Sequence, residues 1–146
     1  MKTTSGIFLI SRDLKVLIGH PTNHPIDFWS IPKGEFEHPE NPFSAALREL
    51  NEETNIMILP PVKYHEMVPR IYKSGKKTLY SFCILEKENK IDFSRFNIKC
   101  NSYFMYHGKE FPEFDKIEWI EIEKAINLIH ESQKDQLMNI YSSYLS

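Results

Sequence analysis

The chain has 146 residues, about one domain's worth, with 41% hydrophobic and 26% charged side chains, which excludes disorder over most of its length and any need for disulfides or a structural metal to hold a core. Eighteen Lys plus Arg against twenty Asp plus Glu give a net charge of −2, so no extended nucleic-acid partner is expected, although one local phosphate site is allowed. The two cysteines, Cys83 and Cys100, make no disulfide framework, and the short apolar run Gly6 to Ile10 is too brief for a signal-peptide core or a membrane span, so a soluble, reducing, cytoplasmic setting without a membrane partner is expected.

Gly6 to Ile10 reads as a strand buried on both faces, Arg12 to Lys15 as a turn, and Val16 to Gly19 as the hairpin partner. His20 to Phe28 contains Pro21 and Pro25 and reads as loop. Trp29 to Ile31 suggests a short strand ended by Pro32, with a polar loop from there to Asn41. A helix is then predicted. Asn41 suits an N-cap, Pro42 suits the first helical position, and Phe43, Ala46, Leu47 and Leu50 recur at helical spacing. Asn55 stands where that helix should stop and tolerates a left-handed cap. Val62 to Val68 and Lys77 to Leu85 read as strands joined through Lys73 to Lys76. Glu86 to Gly108 has no clear pattern. Ile117 to Ile122 reads as a strand around Trp119, and Ala125, Ile126, Ile129, Leu137, Ile140 and Tyr144 as a terminal helical stripe. Strands, helix, strands and helix make one mixed α/β domain over 1–146.

The chemistry concentrates on the first helix. Glu49, Glu52 and Glu53 are spaced three and four apart in its C-terminal half, so their carboxylates share a face. Unpaired, they repel one another and oppose the helix dipole. The helix alone admits two readings: a solvated acidic face, or a platform for a hard divalent cation that is completed by substrate phosphates.

The wider spacing favours the second. Gly34, five residues, Glu40, seven residues, then Arg48-Glu49-Leu50-x-Glu52-Glu53-x-Asn55-Ile56 resembles the Nudix box, G-x5-E-x7-R-E-U-x-E-E-x-G-U, with U a bulky aliphatic residue. The departure is Asn55, where the family has glycine. As a tolerated substitute at a positive φ, Asn55 is expected to accept glycine with a neutral or slightly stabilising effect. Outside the box, Trp29-Ser30-Ile31-Pro32-Lys33-Gly34 resembles the W-x-x-P-K-G lead-in of Nudix enzymes acting on dinucleoside polyphosphates. Phe111-Pro112-Glu113-Phe114-Asp115, Trp119 and the stripe from Ala125 to Leu137 look like the C-terminal half of a bacterial Nudix subgroup described as NTP pyrophosphohydrolases.

The resemblance implies an α/β/α sandwich with a mixed sheet, the box forming loop–helix–loop. It implies that the Gly34 carbonyl and Glu49, Glu52 and Glu53 hold Mg²⁺ or Mn²⁺, and that Glu40 and Arg48 are a structural ion pair. Water then attacks phosphorus, with Glu52 or Glu49 as the base, or Glu113 from outside the box, Asp115 being the next choice. Lys33 and Lys77 become candidate phosphate contacts. The implied partner is a nucleotide-type small molecule: a nucleoside or dinucleoside polyphosphate first, then ADP-ribose, a diphosphoinositol polyphosphate or an RNA cap. A catalytically silent nucleotide sensor is the competing class. His20, His24 and His38 lack zinc-ligand spacing. Trp29 and Trp119 read as core, Cys83 as a small buried hydrophobe, and Tyr72, Tyr80 and Phe36 either as packing or as partners for a base.

Overall fold

The computed structural model describes residues 2–145. Its elements run β1 (Lys2–Ile10), β2 (Lys15–Pro21), β3 (Lys33–Glu35), α1 (Pro42–Thr54), β4 (His65–Glu66), β5 (Arg70–Ile71), β6 (Lys77–Leu85), β7 (Tyr103–Tyr106), β8 (Lys109–Pro112), β9 (Phe114–Glu121), α2 (Ile122–Ala125) and α3 (Glu131–Ile140). The sheet order is β4-β6-β1-β2-β9, with β3 also on β1 and β5 also on β6. β1 and β6 are parallel along their full length, from Lys2 opposite Lys77 to Ile10 opposite Leu85. β1 with β2, β1 with β3, and β2 with β9 are antiparallel, so the sheet is mixed.

The central strand explains the layering. Ile7, Phe8, Leu9 and Ile10 are all buried, and strand alternation sends them to opposite faces. Phe8 and Ile10 join Val16, Ile18, Trp29, Leu137 and Ile140 beneath α2 and α3. Ile7 and Leu9 join Leu17, Ala46, Leu50, Ile84 and Phe93 beneath α1. The result is an α/β/α sandwich.

β1 meets β2 in register only at Ile10 opposite Val16. That leaves the N-terminal half of β1 free on the same side, where β3 pairs Gly6 with Lys33, Ser5 with Gly34 and Thr4 with Glu35. Lys33 to Glu35 is therefore strand, not the polar loop the sequence suggested. Trp29 to Ile31, expected as a strand, makes only single bridges, Ser30 to Gly19 and Trp29 to Ile129.

α1 follows its local signals. Asn41 Oδ1 accepts the Ser44 N–H at 2.8 Å, and Asn55 closes the helix at φ 68°. The strand predicted over Val62 to Val68 is cut to β4 and β5, two residues each. Pro69 stands between them, and with no N–H it cannot continue a ladder. The terminal helix is also broken. Trp29 donates to the Leu128 carbonyl at 2.9 Å and accepts from the His130 N–H at 2.9 Å. Those bonds pull residues 128–130 out of the helical path between α2 and α3. The unpatterned stretch contains two short 3₁₀ turns and the start of the β7–β8 hairpin, whose turn residues His107 and Gly108 both have positive φ. Gly108 was its one sequence signal. Among the described residues no helix is long and apolar enough to cross a membrane.

Asn55 has a role beyond its backbone. Its Nδ2 donates to the Asn97 carbonyl at 2.9 Å, and its Oδ1 accepts from Asn101 Nδ2 at 3.1 Å. The side chain ties residues 97–101 to the helix end, so the expectation that glycine is neutral here is corrected. Glycine relieves the positive φ but deletes both bonds, and Asn55→Gly is expected to cost up to about 1 kcal/mol, Asn55→Ala about 2 kcal/mol. Urea unfolding of both variants checks this ranking, and a glycine variant more stable than wild type would refute it.

Candidate active site

The site is organised around one guanidinium. Arg48 holds Glu40 with two bonds, Nε to Oε2 at 2.8 Å and Nη2 to Oε1 at 2.9 Å. Its Nη1 reaches Glu49 Oε1 at 2.8 Å and Glu52 Oε1 at 3.0 Å. Nη2 also donates to the Glu35 carbonyl at 3.3 Å. One cation thus joins the loop before α1, the end of β3 and two carboxylates of α1. The fork geometry of Arg suits this better than a point charge would. The guanidinium holds the Glu40 carboxyl below its ordinary value.

Glu49 and Glu53 are buried. Burial pushes the Glu49 carboxyl up, the neighbouring Glu52 charge adds to this, and Arg48 opposes it. Glu53 lies beyond Arg48. Its Oε1 accepts the Lys33 N–H at 2.9 Å, yet burial pushes its carboxyl up to about 8. Gly34 packs directly on Glu49: a Cβ at residue 34 would lie 2.1 Å from the carboxyl carbon. Any larger residue here would push the Glu49 carboxyl out of this position.

This donor set fits a divalent cation of the Mg²⁺ or Mn²⁺ type. Carboxylate and carbonyl oxygens are the ligands such ions prefer, and the Gly34 cradle keeps side-chain bulk away from them. Among the described residues, no three His, Cys, Asp or Glu side chains converge on one point as they stand. Glu49 and Glu52 turn to Arg48, and Glu53 turns to the Lys33 amide.

Beside Glu53 lies a cleft of about 330 Å³. Lys33, Lys77, Glu53 and Glu113 line it together, although they come from β3, β6, α1 and the residue before β9. Burial and the neighbouring Lys33 hold the Lys77 ammonium below its ordinary value. Glu40, Arg48, Glu49 and Glu52 are not among the lining residues. Tyr72 is in the wall with Lys77 Nζ 5.1 Å over its ring. Phe36 and Tyr80 pack on each other, away from the cleft. Asp115 is engaged elsewhere, accepting from His20 Nδ1 at 2.7 Å. The His20 Nε2 donates to the Pro25 carbonyl at 2.9 Å. Burial opposes the charged ring, but these two acceptors outweigh it and raise the imidazole above its ordinary value.

Of the lining residues, Phe28 and His130 carried no signal in the sequence, His24 was weighed only as a zinc ligand, and Gln133 stood only within the stripe from Ala125 to Leu137. His24 and Phe28 sit in a proline-bearing loop and stack at 4.8 Å. His130 and Gln133 begin α3, and Gln133 Oε1 accepts the Ile31 N–H at 2.9 Å.

Residues 2–139 match the NUDIX domain family. The RNA pyrophosphohydrolase of Pelagibacter ubique (strain HTCC1062) is 24% identical over 138 residues, covering 85% of this chain and 78% of that protein. The C. elegans Ap4A hydrolase, in a binary complex, shares the fold at a TM-score of 0.66 with 20% identity, over 97% of this chain and 96% of that one. The bifunctional NMN adenylyltransferase/ADP ribose pyrophosphatase of Francisella tularensis, complexed with AMP and a Mn ion, does so at 0.65 with 20% identity, over 97% of this chain and 41% of that one. The chain belongs to the NUDIX domain family and is a Nudix pyrophosphohydrolase, a hydrolase acting on acid anhydrides.

Burial of Glu53 has a consequence for stability. Its native value of about 8 lies above the ordinary 4.5, so the folded state binds the extra proton in that window. Stability from this group is therefore complete at acid pH and is lost as pH rises toward 8. In chelator-treated protein, urea midpoints measured from pH ~5.5 to ~8.5 should fall less steeply in Glu53→Gln than in wild type. Parallel pH profiles would show that Glu53 is not buried as a carboxylic acid.

Proposed function

We propose that this enzyme hydrolyses a phosphoanhydride bond in a nucleoside polyphosphate or dinucleoside polyphosphate, with Mg²⁺ or Mn²⁺ as cofactor. The observation that carries this reading is the cleft itself, where two lysines for phosphate stand beside two carboxylates, one of them buried against the Gly34 strand. Gly34 through its carbonyl and Glu49, Glu52 and Glu53 through their carboxylates would hold the cation. When bound, it screens phosphate charge, polarises P–O bonds and acidifies a water.

The protein's own groups do the rest. Lys33 and Lys77 bind non-bridging phosphate oxygens and orient the chain of phosphates along the cleft. A water oxygen attacks one phosphorus, the P–O bond to the bridging oxygen breaks, and the phosphate-bearing group leaves with that oxygen, as a nucleotide or a phosphate according to the substrate. Glu113 takes the proton from that water. It lines the cleft, and among the described residues its carboxylate makes no hydrogen bond or ion pair, whereas Glu49 and Glu52 are engaged by Arg48. Arg48 and Glu40 act by positioning the acidic face of α1.

A phosphoanhydride at an RNA 5′ end, the cap alternative of the sequence reading, is the second reading, and the name RNA pyrophosphohydrolase of the Pelagibacter ubique relative supports it. It uses the same bond chemistry. A panel of Ap4A, ATP, ADP-ribose, a diphosphoinositol polyphosphate and a short 5′-triphosphorylated RNA, assayed with Mg²⁺, ranks the substrates. Binding without turnover of any of them would mark a sensor instead.

On the best substrate, excess EDTA should abolish turnover. Glu53→Gln and Glu113→Gln should each lower kcat by at least about 10²-fold with unchanged far-UV circular dichroism. Either variant within threefold of wild type loses its assigned role.

A further inference from the structure

His130 stands in the wall of the cleft and has no part in the reading above. Its ring packs face to face with Tyr72 at 5.7 Å and edge-on to Phe28 at 5.3 Å. It also caps α3 with a ring nitrogen: Nδ1 accepts the backbone N–H of Ser132 at 3.0 Å, and the Ser132 hydroxyl faces the same atom. A backbone N–H can only donate, so Nδ1 must keep its lone pair. In a neutral imidazole the proton then sits on Nε2.

Three further observations bear on that N–H. Nε2 has no hydrogen-bond partner among the described residues. The ring lines the cleft that holds Lys33, Lys77, Glu53 and Glu113. Burial, with Lys33 and Lys77 close by, disfavours the charged ring and holds it below its ordinary value. Protonating Nδ1 would also set two donors against each other at the start of α3. The bonds at Nδ1 therefore leave one neutral N–H on a ring that lines a cleft already furnished with cations.

We propose that His130 is a substrate-binding residue, locked as the Nε2–H tautomer by the N-terminus of α3, and that it donates this N–H to a non-bridging phosphate oxygen. The proposal rests on the phosphoanhydride reading of the cleft. Ionised phosphate oxygens only accept hydrogen bonds. The opposite tautomer would turn a lone pair toward them, and a third full charge would be repelled by Lys33 and Lys77.

The experiment uses the full chain labelled with ¹⁵N-histidine and ¹⁵N-lysine, with Mg²⁺ present and inorganic pyrophosphate as the probe. Long-range ¹H–¹⁵N correlation at neutral pH should identify Nδ1 of His130 as unprotonated and Nε2 as the proton carrier. Pyrophosphate should move the Nε2 resonance together with the signals of Lys33 and Lys77. An Nδ1–H tautomer, a doubly protonated ring, or an Nε2 signal that stays still while the lysines respond overturns the proposal alone. If neither the lysines nor His130 respond, the phosphoanhydride reading falls and takes the proposal with it. In turnover, His130→Ser keeps a capping oxygen while deleting Nε2–H. It should fold, melt within a few degrees of wild type and lose about tenfold in kcat/KM, the scale of one hydrogen bond to a charged acceptor. A variant within twofold of wild type overturns the assignment.

Discussion

Three glutamates in the last turns of a helix repel one another and face the wrong end of its dipole, and α1 carries them because Arg48 sits among them. The guanidinium is about a third exposed, 38%, so no single pair contributes much. Its leverage is geometric. Five N–H donors in a rigid fork hold Glu40 with two bonds and still reach Glu49, Glu52 and the Glu35 carbonyl. Loop, strand end and helix face become one unit. Glu53 lies outside that unit with a single backbone donor, and there burial wins over hydrogen bonding, which is why its carboxyl is pushed up to about 8.

The unit is aligned to the rest of the protein by β3. Only three residues long, β3 takes its register from β1, and β1 is fixed by burial on both faces. Through this chain of contacts the sheet sets Gly34 against Glu49 and the Lys33 amide against Glu53. A slip of one residue would exchange the Gly34 contact for a side chain. The two cores thus do more than stabilise the sandwich, since they determine where the acidic face meets the strand.

Another wall of the cleft draws on the proline-bearing loop after β2 and on the start of α3, and polar bonds hold it beside the packed rings of His24, Phe28 and His130. His20 spans Asp115 and the Pro25 carbonyl. Gln133, fully buried, accepts from the Ile31 amide and donates to Ser30 Oγ at 3.0 Å. Buried groups bonded at both ends rigidify what would otherwise be a flexible loop. Size does not distinguish this cleft. A groove of about 760 Å³ lies between the β1–β2 turn and residues 90–94, but none of the box carboxylates lines it. The cleft stands apart by the convergence of Lys33, Lys77, Glu53 and Glu113.

Where local physics decides, the sequence was sufficient. The continuous apolar run of β1, the capped and amphipathic α1, the long β6 and the spacing from Gly34 to Ile56 could all be read from neighbours a few residues apart. So could the family, because its motif is a matter of spacing. Tertiary structure decided the rest. β3 exists because β1 left an edge open, the terminal helix breaks because Trp29 bonds to Leu128 and His130, and Asn55 became an anchor because Asn97 and Asn101 reach it. The burial that raises Glu53, and the wall containing Phe28 and His130, come from segments far apart in the chain. Hydrogen-bond partners and desolvation are properties of neighbours in space, and no spacing along the chain encodes them.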